Sequence, residues 1–246
     1  MTRRRPAVNS AFTGSDSRAK SLPSAGRGQP CPGEASQWRG NLEHALAAPA
    51  KVASRTHQPA LPVSDIGAFV ARLHREQPDL AARALEFVIL TAARDGEVQG
   101  ATWAEVDLNA AVWTIPAERM KAGREHRVPL SPAAVKLLKA LPRDVTNPHL
   151  LPGSSKNGRL SENTLNEVIK RMHERSPIPT DAPGRAAVVH GMRGTFRNWG
   201  REHTDFRPDL LELSLAHTVG SAVERACARD DALEQRGLSW TCGRNS

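Results

Sequence analysis

The 246-residue sequence contains no tyrosine, and its only aromatic residues are five phenylalanines and five tryptophans, so no phenolic hydroxyl is present. Its three cysteines, Cys31, Cys227 and Cys242, form no CxxC pair. This odd, scattered set predicts neither a disulfide framework nor a zinc site and is typical of a reducing compartment. No apolar run reaches membrane-spanning length, and none of signal-peptide length follows the basic MTRRRP segment, so we expect a cytoplasmic protein.

The formal net charge of +8 is unevenly distributed. Residues 1–60 hold nine Lys and Arg against three Asp and Glu, whereas residues 61–246 hold 25 against 23. Bulk charge therefore indicates a basic N-terminal segment and a nearly balanced body. Any case that the body binds an anionic polymer must depend on the positions of particular arginines.

Composition divides the chain into four segments. Residues 1–36 are rich in Ser, Gly, Pro and Arg and have no apolar period, which predicts a disordered basic tail. Residues 37–60 contain QWRGNLEHAL, a candidate short helix, and then a linker with prolines and small residues. A folded body is expected over residues 61–236. Residues 237–246, GLSWTCGRNS, lack a helical apolar period and are predicted to form an irregular tail.

Apolar residues recur with helical spacing in several parts of the body. Ser64 is a plausible N-cap of the first helix, and Ser131, followed by Pro132, is a cap for a later one. Ser161 is expected to start another helix. The predicted apolar faces are Ile66, Phe69, Val70 and Leu73; Leu85, Val88, Ile89 and Ala92; and Leu165, Val168, Ile169 and Met172.

Between these helices, two short segments have the pattern of paired strands. AVWTIP alternates apolar and polar residues, and HRVPLS can pair with it across the turn at residues 121–124. The order of helices, a small sheet and further helices predicts an α+β fold that is mostly helical. It has a small antiparallel sheet and no parallel one.

Charged residues interrupt the apolar pattern at four places. Arg94, in TAARDGEV, stands where one helix ends and a second, with Asp95 as its expected cap, begins; helix N-termini offer backbone donors to an anion. His190 and Arg193, in HGMRGTFRNW, are three residues apart at a helix start and can project to one side. The other two are Lys121, on the predicted hairpin turn, and His217, after the apolar LLELSLA.

Each of these residues has an ordinary alternative explanation. An arginine after a helix is usually a solvated charge, HxxR occurs by chance in many helices, and a lysine on a hairpin usually only favours solubility. Their combination and order are more specific. TAARDGEV, then WTIPAERMKAGREHRVPLS, then HGMRGTFRNW, then LAHTVGSAVERACARDD resembles the catalytic domain of tyrosine recombinases, and prophage integrases in particular. The resemblance covers roughly residues 36–236, and WRGNLEHALAAPAKV looks like the end of the core-binding arm.

The resemblance implies a role for each of these residues. Arg94 would be the first phosphate-binding arginine, with Glu97 as its supporting acid, and Lys121 would be the general acid. His190 and Arg193 would form the HxxR pair. The remaining implied site residues are His217, as the second histidine, and Cys227, at the position of the nucleophilic tyrosine.

The family's chemistry explains these residue types. Attack on a phosphodiester places negative charge on phosphoryl oxygens, which guanidinium and imidazole groups stabilise. The lysine protonates the departing sugar oxygen, and a covalent protein–DNA linkage preserves the bond energy for rejoining. The resemblance therefore implies double-stranded DNA as partner, with self-association on it, and neither metal nor other cofactor. We expect Arg94, His190, Arg193 and His217 to converge on one concave face, with Lys121 beside it.

Cys227 is the departure from the family. Its sulfur lies roughly 3 to 4 Å nearer its own Cα than a phenolic oxygen would, and about 1 Å of misplacement costs on the order of a hundredfold in rate. A small semi-apolar residue in the space of an aromatic is therefore favoured over a working thiolate. Three function classes stay open: a recombinase of reduced or altered competence, a catalytically dead DNA-binding remnant of a prophage integrase, and a helical regulatory module.

Overall fold

The computed structural model describes residues 57–217 and 231–242, which lie within one compact unit, Thr56–Ser246. The predicted tail at 1–36, most of the 37–60 segment, and Cys227 lie outside the described residues. In the described ranges no helix combines the length and the hydropathy that a membrane span requires. The regular elements are α1 (Ile66–Glu76), α2 (Leu80–Thr91), α3 (Asp95–Gln99), β1 (Val106–Asp107), β2 (Val112–Ile115), β3 (His126–Pro129), α4 (Pro132–Ala140), α5 (Thr164–Arg175), α6 (Gly191–His203), α7 (Pro208–Ser214) and α8 (Leu233–Cys242).

Helix α1 has the apolar face that the sequence predicts, with Phe69 and Leu73 buried. The prediction of Ser64 as its N-cap is wrong. Ser64 lies inside a short 3₁₀ turn, Val63–Asp65, which leads directly into the helix, and the capping position is occupied by Asp65 without a side-chain cap. Because the preceding turn continues into α1, the side chain of Ser64 is not placed to accept from the first helical amides.

The small antiparallel sheet has three strands in the order β1-β2-β3. The predicted pairing of β2 with β3 is confirmed, with Trp113 opposite Val128 and Ile115 opposite His126. Trp113, Ile115 and Val128 are buried, so one face of the sheet packs into the core. Strand β1 was not predicted, because two residues are too short to show the alternation from which a strand is recognised.

Helices α4 and α5 follow the predicted pattern with one difference at a boundary. The Ser131 hydroxyl accepts from the Ala134 amide at 3.2 Å and caps α4, whose first residue is Pro132. Helix α5 begins at Thr164 rather than at Ser161, which hydrogen-bonds the Thr164 hydroxyl at 2.7 Å instead. The predicted face of α5 is confirmed, since its four apolar residues are all buried: Leu165, Val168, Ile169 and Met172.

The expectation of an irregular tail over residues 237–246 is wrong for residues 237–242, because they belong to α8. This helix contacts β3 and α7. Its Arg236 is buried and donates from Nε to the Asp231 carbonyl at 2.8 Å, while Arg127 of β3 pairs with the Asp231 carboxylate at 2.7 Å. Tertiary contacts, including the Arg127–Asp231 ion pair, stabilise the helix, and such contacts cannot be recognised from an apolar period.

Candidate active site

Arg94 is held by Glu97 at the start of α3. The Glu97 carboxylate accepts from the Arg94 backbone amide at 2.8 Å and from its guanidinium Nη1 at 2.6 Å. Asp95 was expected to cap this helix, but Arg94 occupies the capping position and Asp95 is the first helical residue. Glu97 is buried while the Arg94 side chain is 23% exposed. One edge of the guanidinium is therefore anchored, and the side chain remains accessible.

Arg193, on α6, is 5% exposed and lies between the ends of two helices. Its Nη1 donates to the carbonyl of Ala92, which follows α2, and its Nη2 donates to the carbonyl of Leu215, which follows α7. Helix C-termini carry partial negative charge, so both acceptors favour a cation there. Burial, and secondarily repulsion from Arg94, lowers the pKa of Arg193 to about 10, which still leaves it charged at neutral pH.

His217 is oriented by a chain of polar contacts. Its Nε2 lies 3.3 Å from Arg193 Nη2, and its Nδ1 lies 2.6 Å from a carboxylate oxygen of Glu212. The other Glu212 oxygen pairs with Arg197 Nε at 2.6 Å. Burial opposes the charge on Glu212, but the hydrogen bond from His217 and the nearby Arg197 outweigh it, so the pKa of Glu212 is lowered. Because a guanidinium can only donate, His217 Nε2 accepts from Arg193 while Nδ1 donates to the Glu212 carboxylate, and the two contacts together orient the imidazole.

His190 occupies the capping position of α6 and is exposed to solvent. Partial burial of the imidazole lowers the pKa of His190, and repulsion from Arg193, Arg94 and His217 contributes in the same direction. Arg193 contacts His217 and the carbonyl of Ala92, two residues before Arg94, and it follows His190 by three residues at the start of α6. These contacts favour the expected convergence of the two arginines with the two histidines, which stays a prediction.

Lys121 lies between Arg94 and His190 in the sequence, but it is not bonded to the other four groups in the described residues. It is exposed in the turn between β2 and β3, where Gly123 adopts a φ of +61°. Within the described residues, no hydrogen bond or ion pair connects its ammonium to the other four groups. Because the turn is exposed, the lysine can approach a bound polymer from outside. Cys227, the sixth predicted site residue, lies outside the described residues.

Three residues near the site were not identified from the sequence: Glu212, Arg197 and His126. Glu212 could have been noticed, because it is the only acid in the apolar LLELSLA segment. His126 is the first residue of β3, and its side chain is half-buried. Burial, and then the positive charge of Arg236, lowers the pKa of His126 to about 4, so the group is neutral at neutral pH.

A cavity of about 600 Å³ adjoins the site at His190, which of the four groups is the one in its lining, together with Asp95, Asn166 and Lys170. Guanidinium and imidazole groups can donate hydrogen bonds to an anion with several oxygens. Among residues 57–217 and 231–242, no group of three or more His, Cys, Asp or Glu side chains could hold a metal ion. The chemistry that this arrangement supports is the binding and stabilisation of a phosphoryl group.

Replacing Arg193 with methionine tests whether the buried guanidinium supports the fold. We expect Arg193→Met to lower the free energy of unfolding by about 2 kcal/mol, because two buried carbonyls lose charged donors. The matched control is Arg201→Met, which removes an exposed arginine from the same helix. Urea unfolding followed by circular dichroism measures both. Equal midpoints for the two variants would contradict this role.

The lowered pKa of His126 predicts a pH dependence of stability. Between its folded value of about 4 and its ordinary value of 6.5, the unfolded state binds the proton more readily than the folded state. Stability should therefore fall as pH is lowered through this window, by up to about 3 kcal/mol. His126→Gln should remove this contribution, while exposed His203→Gln should keep it. Urea unfolding at pH 4 to 7 tests this, and an unchanged profile for His126→Gln would refute it.

The chain is similar to proteins of one family along most of its described length. The model of the phage integrase family matches residues 62–222. Prophage integrase IntA of Escherichia coli K12 is 36% identical over 150 residues, which cover 60% of this chain and 34% of that protein. The integrase of Enterobacteria phage P4 is 30% identical over 198 residues, covering 74% and 44%. The chain thus spans less than half the length of these relatives.

A solved structure supports the same fold. A lambda integrase dimer bound to a COC′ core site superposes with a TM-score of 0.55 at 18% identity, covering 78% of this chain and 65% of that one. On the extent of the family match, the chain is a member of the phage integrase family.

Proposed function

We propose that this chain binds double-stranded DNA through its integrase-like catalytic domain and functions in site-specific DNA recombination, the integration of DNA by phosphodiester strand transfer. The observation that carries the proposal is that Arg193 contacts His217 and the end of the helix preceding Arg94, while His190 stands one turn before it on α6. A helical regulatory module has no need for four phosphate-binding groups in one place. The proposed site of action is the cytoplasm, where the DNA of a prophage host lies.

The proposed chemistry assigns each group a role. Arg94 and Arg193 donate to the non-bridging oxygens of the phosphate that is attacked, and His190 and His217 add further donors. Lys121 gives its proton to the sugar oxygen that leaves phosphorus. Glu97 and Glu212 touch the cationic groups rather than the phosphate, and they hold Arg94 and His217 in position. The site is therefore organised before the DNA arrives.

We also propose that strand cleavage is impaired in this chain. None of its 246 residues is a tyrosine, and the resemblance places Cys227 where the family has its nucleophile. A cysteine sulfur would fall roughly 3 to 4 Å short of the position of a phenolic oxygen. DNA binding would then be retained while covalent linkage is lost. The lambda integrase structure, a dimer on a DNA core site, supports duplex DNA as the partner and self-association on it.

DNA binding should depend on salt and on Arg94. If Arg94 contacts a phosphate, Arg94→Gln should weaken binding about equally for all duplex sequences and should reduce the slope of log affinity against log salt by about 1. Arg83→Gln is the control, because Arg83 is already paired with Glu86 at 2.9 Å. Fluorescence anisotropy with labelled duplexes at several salt concentrations measures both. An affinity and slope unchanged by Arg94→Gln would count against the phosphate site.

The role of position 227 is tested by restoring a phenol. We expect the wild-type protein to form no covalent adduct with a nicked suicide substrate, and Cys227→Tyr to form some, because its oxygen has the required reach. The readout is a denaturing gel. Adduct from wild type that is abolished in Cys227→Ser would make the cysteine a working nucleophile and would overturn the proposed impairment. No adduct from a folded Cys227→Tyr would leave DNA binding as the activity.

A further inference from the structure

The hairpin that carries Lys121 is attached to the core by an arginine two residues earlier. Arg119 ends the 3₁₀ turn Ala117–Arg119, and its Nη1 lies 2.5 Å from each carboxylate oxygen of Glu105. The indole of Trp113, which is fully buried, donates to the same carboxylate at 2.9 Å. The Arg119 and Glu105 side chains are 24% and 11% exposed, so the pair is largely shielded from water.

The same arginine reaches the element that carries Arg94. Arg119 Nη2 donates to the backbone carbonyl of Glu97, whose carboxylate holds the Arg94 guanidinium. The approach is close, because a Cβ at Gly100 would lie only 3.0 Å from Arg119 Nη2. Glu97 thus contacts Arg119 through its main chain and Arg94 through its side chain.

The residue between Arg119 and Lys121 continues this anchoring. Met120 is buried, and its carbonyl accepts from the Gly123 amide at 2.9 Å. The chain leaves the core immediately after Met120, and Lys121 is the first exposed residue of the turn. The backbone before Lys121 is therefore held by the core while its side chain is exposed, and Arg119 determines where that backbone lies.

We propose that Arg119 is a positioning residue that fixes the Lys121 hairpin relative to Arg94. The general acid and the phosphate-binding arginine can then act on the same phosphate. This inference rests on the proposed function. Displacement of a reacting group by about 1 Å costs on the order of a hundredfold in rate. Nη1 donates to Glu105 while Nη2 donates to the Glu97 carbonyl, and these two contacts need the two nitrogens of a planar guanidinium, which the single nitrogen of lysine cannot reproduce.

Amide hydrogen exchange tests the anchoring without any reaction. In Arg119→Gln and Arg119→Lys we expect residues 116–125 to exchange about tenfold faster, while α4 and α5 keep their protection. Gly100→Ala, which keeps the arginine but crowds its guanidinium, should loosen the same segment if Arg119→Gln does not fold. Arg124→Gln, in the exposed part of the turn, is the control and should exchange like wild type. Unchanged hairpin protection in folded Arg119 and Gly100 variants would overturn the proposal.

A leaving-group comparison tests the consequence for Lys121. In the Cys227→Tyr background, nicked substrates are compared in which the departing atom is the normal sugar oxygen or a bridging sulfur, which leaves without a proton. Attack forms the phenol oxygen–phosphorus bond and breaks the bond from phosphorus to the leaving atom. We expect Arg119→Gln to slow adduct formation about tenfold or more with oxygen and less than about twofold with sulfur.

The outcomes of this second experiment separate the two proposals. Equal loss on both substrates would mean that Arg119 supports the site as a whole and would overturn its role in placing the acid. No adduct from Cys227→Tyr itself, on either substrate, would contradict strand transfer as the proposed function. Hydrogen exchange would still decide whether Arg119 fixes the hairpin, because that readout needs neither DNA nor a nucleophile.

Discussion

A buried guanidinium joined to the carbonyl ends of two helices is the interaction on which the candidate site depends. Arg193 donates to Ala92, just after α2, and to Leu215, just after α7. Arg94 follows Ala92 by two residues, and His217 follows Leu215 by two. One side chain therefore sets the distance between the segment with the first arginine and the segment with the second histidine.

The backbone at both helix ends is shaped for this contact. Ala92 and Ala216 each have a φ of +49°, in the left-handed region that reverses the chain after a helix. These turns direct Arg94 and His217 away from their helices and toward Arg193. Alanine in this region costs free energy that glycine would not. The hydrogen bonds from Arg193 to the carbonyls of Ala92 and Leu215 help to offset that cost.

The carboxylates around the site organise it in advance of any ligand. Glu97 of α3 pairs with Arg94, and Glu212 of α7 pairs with His217. Burial is the main cause of the lowered pKa of Arg193, and repulsion from Arg94 adds to it. The nearby acids, Glu97, Asp95 and Glu212, reduce that repulsion. A phosphate that enters meets donors already in place, so little reorganisation is needed when charge develops on its oxygens.

How much could be predicted from the sequence depended on the range of each interaction. The apolar face of α5 and the β2–β3 pairing were predictable because spacing along the chain records them directly. Helix starts at Ser64 and Ser161 were misplaced because neighbouring turns decide which residue caps a helix. Helix α8 was missed because contacts with the distant β3 and α7 stabilise it, rather than an apolar period.

The same distinction holds within the site. Arg94, His190, Arg193 and His217 were identified through a family resemblance, and Arg193 contacts His217 and the end of the helix that precedes Arg94. Arg119 was missed because its partners, Glu97 and Glu105, lie 22 and 14 residues away and no local pattern links them. The contribution of His126 depends on burial between β3 and the later helices, which composition does not reveal.

The central claim is that the two arginines and two histidines form one phosphate-binding site, and a crystal structure of the protein with a nicked DNA duplex tests it most directly. The account predicts one backbone phosphate within hydrogen-bonding distance of Arg94 and Arg193, with His190 and His217 as its next neighbours and the Lys121 turn closed over the strand. A complex in which the duplex lies on another face, with no phosphate between the two guanidinium groups, would contradict it.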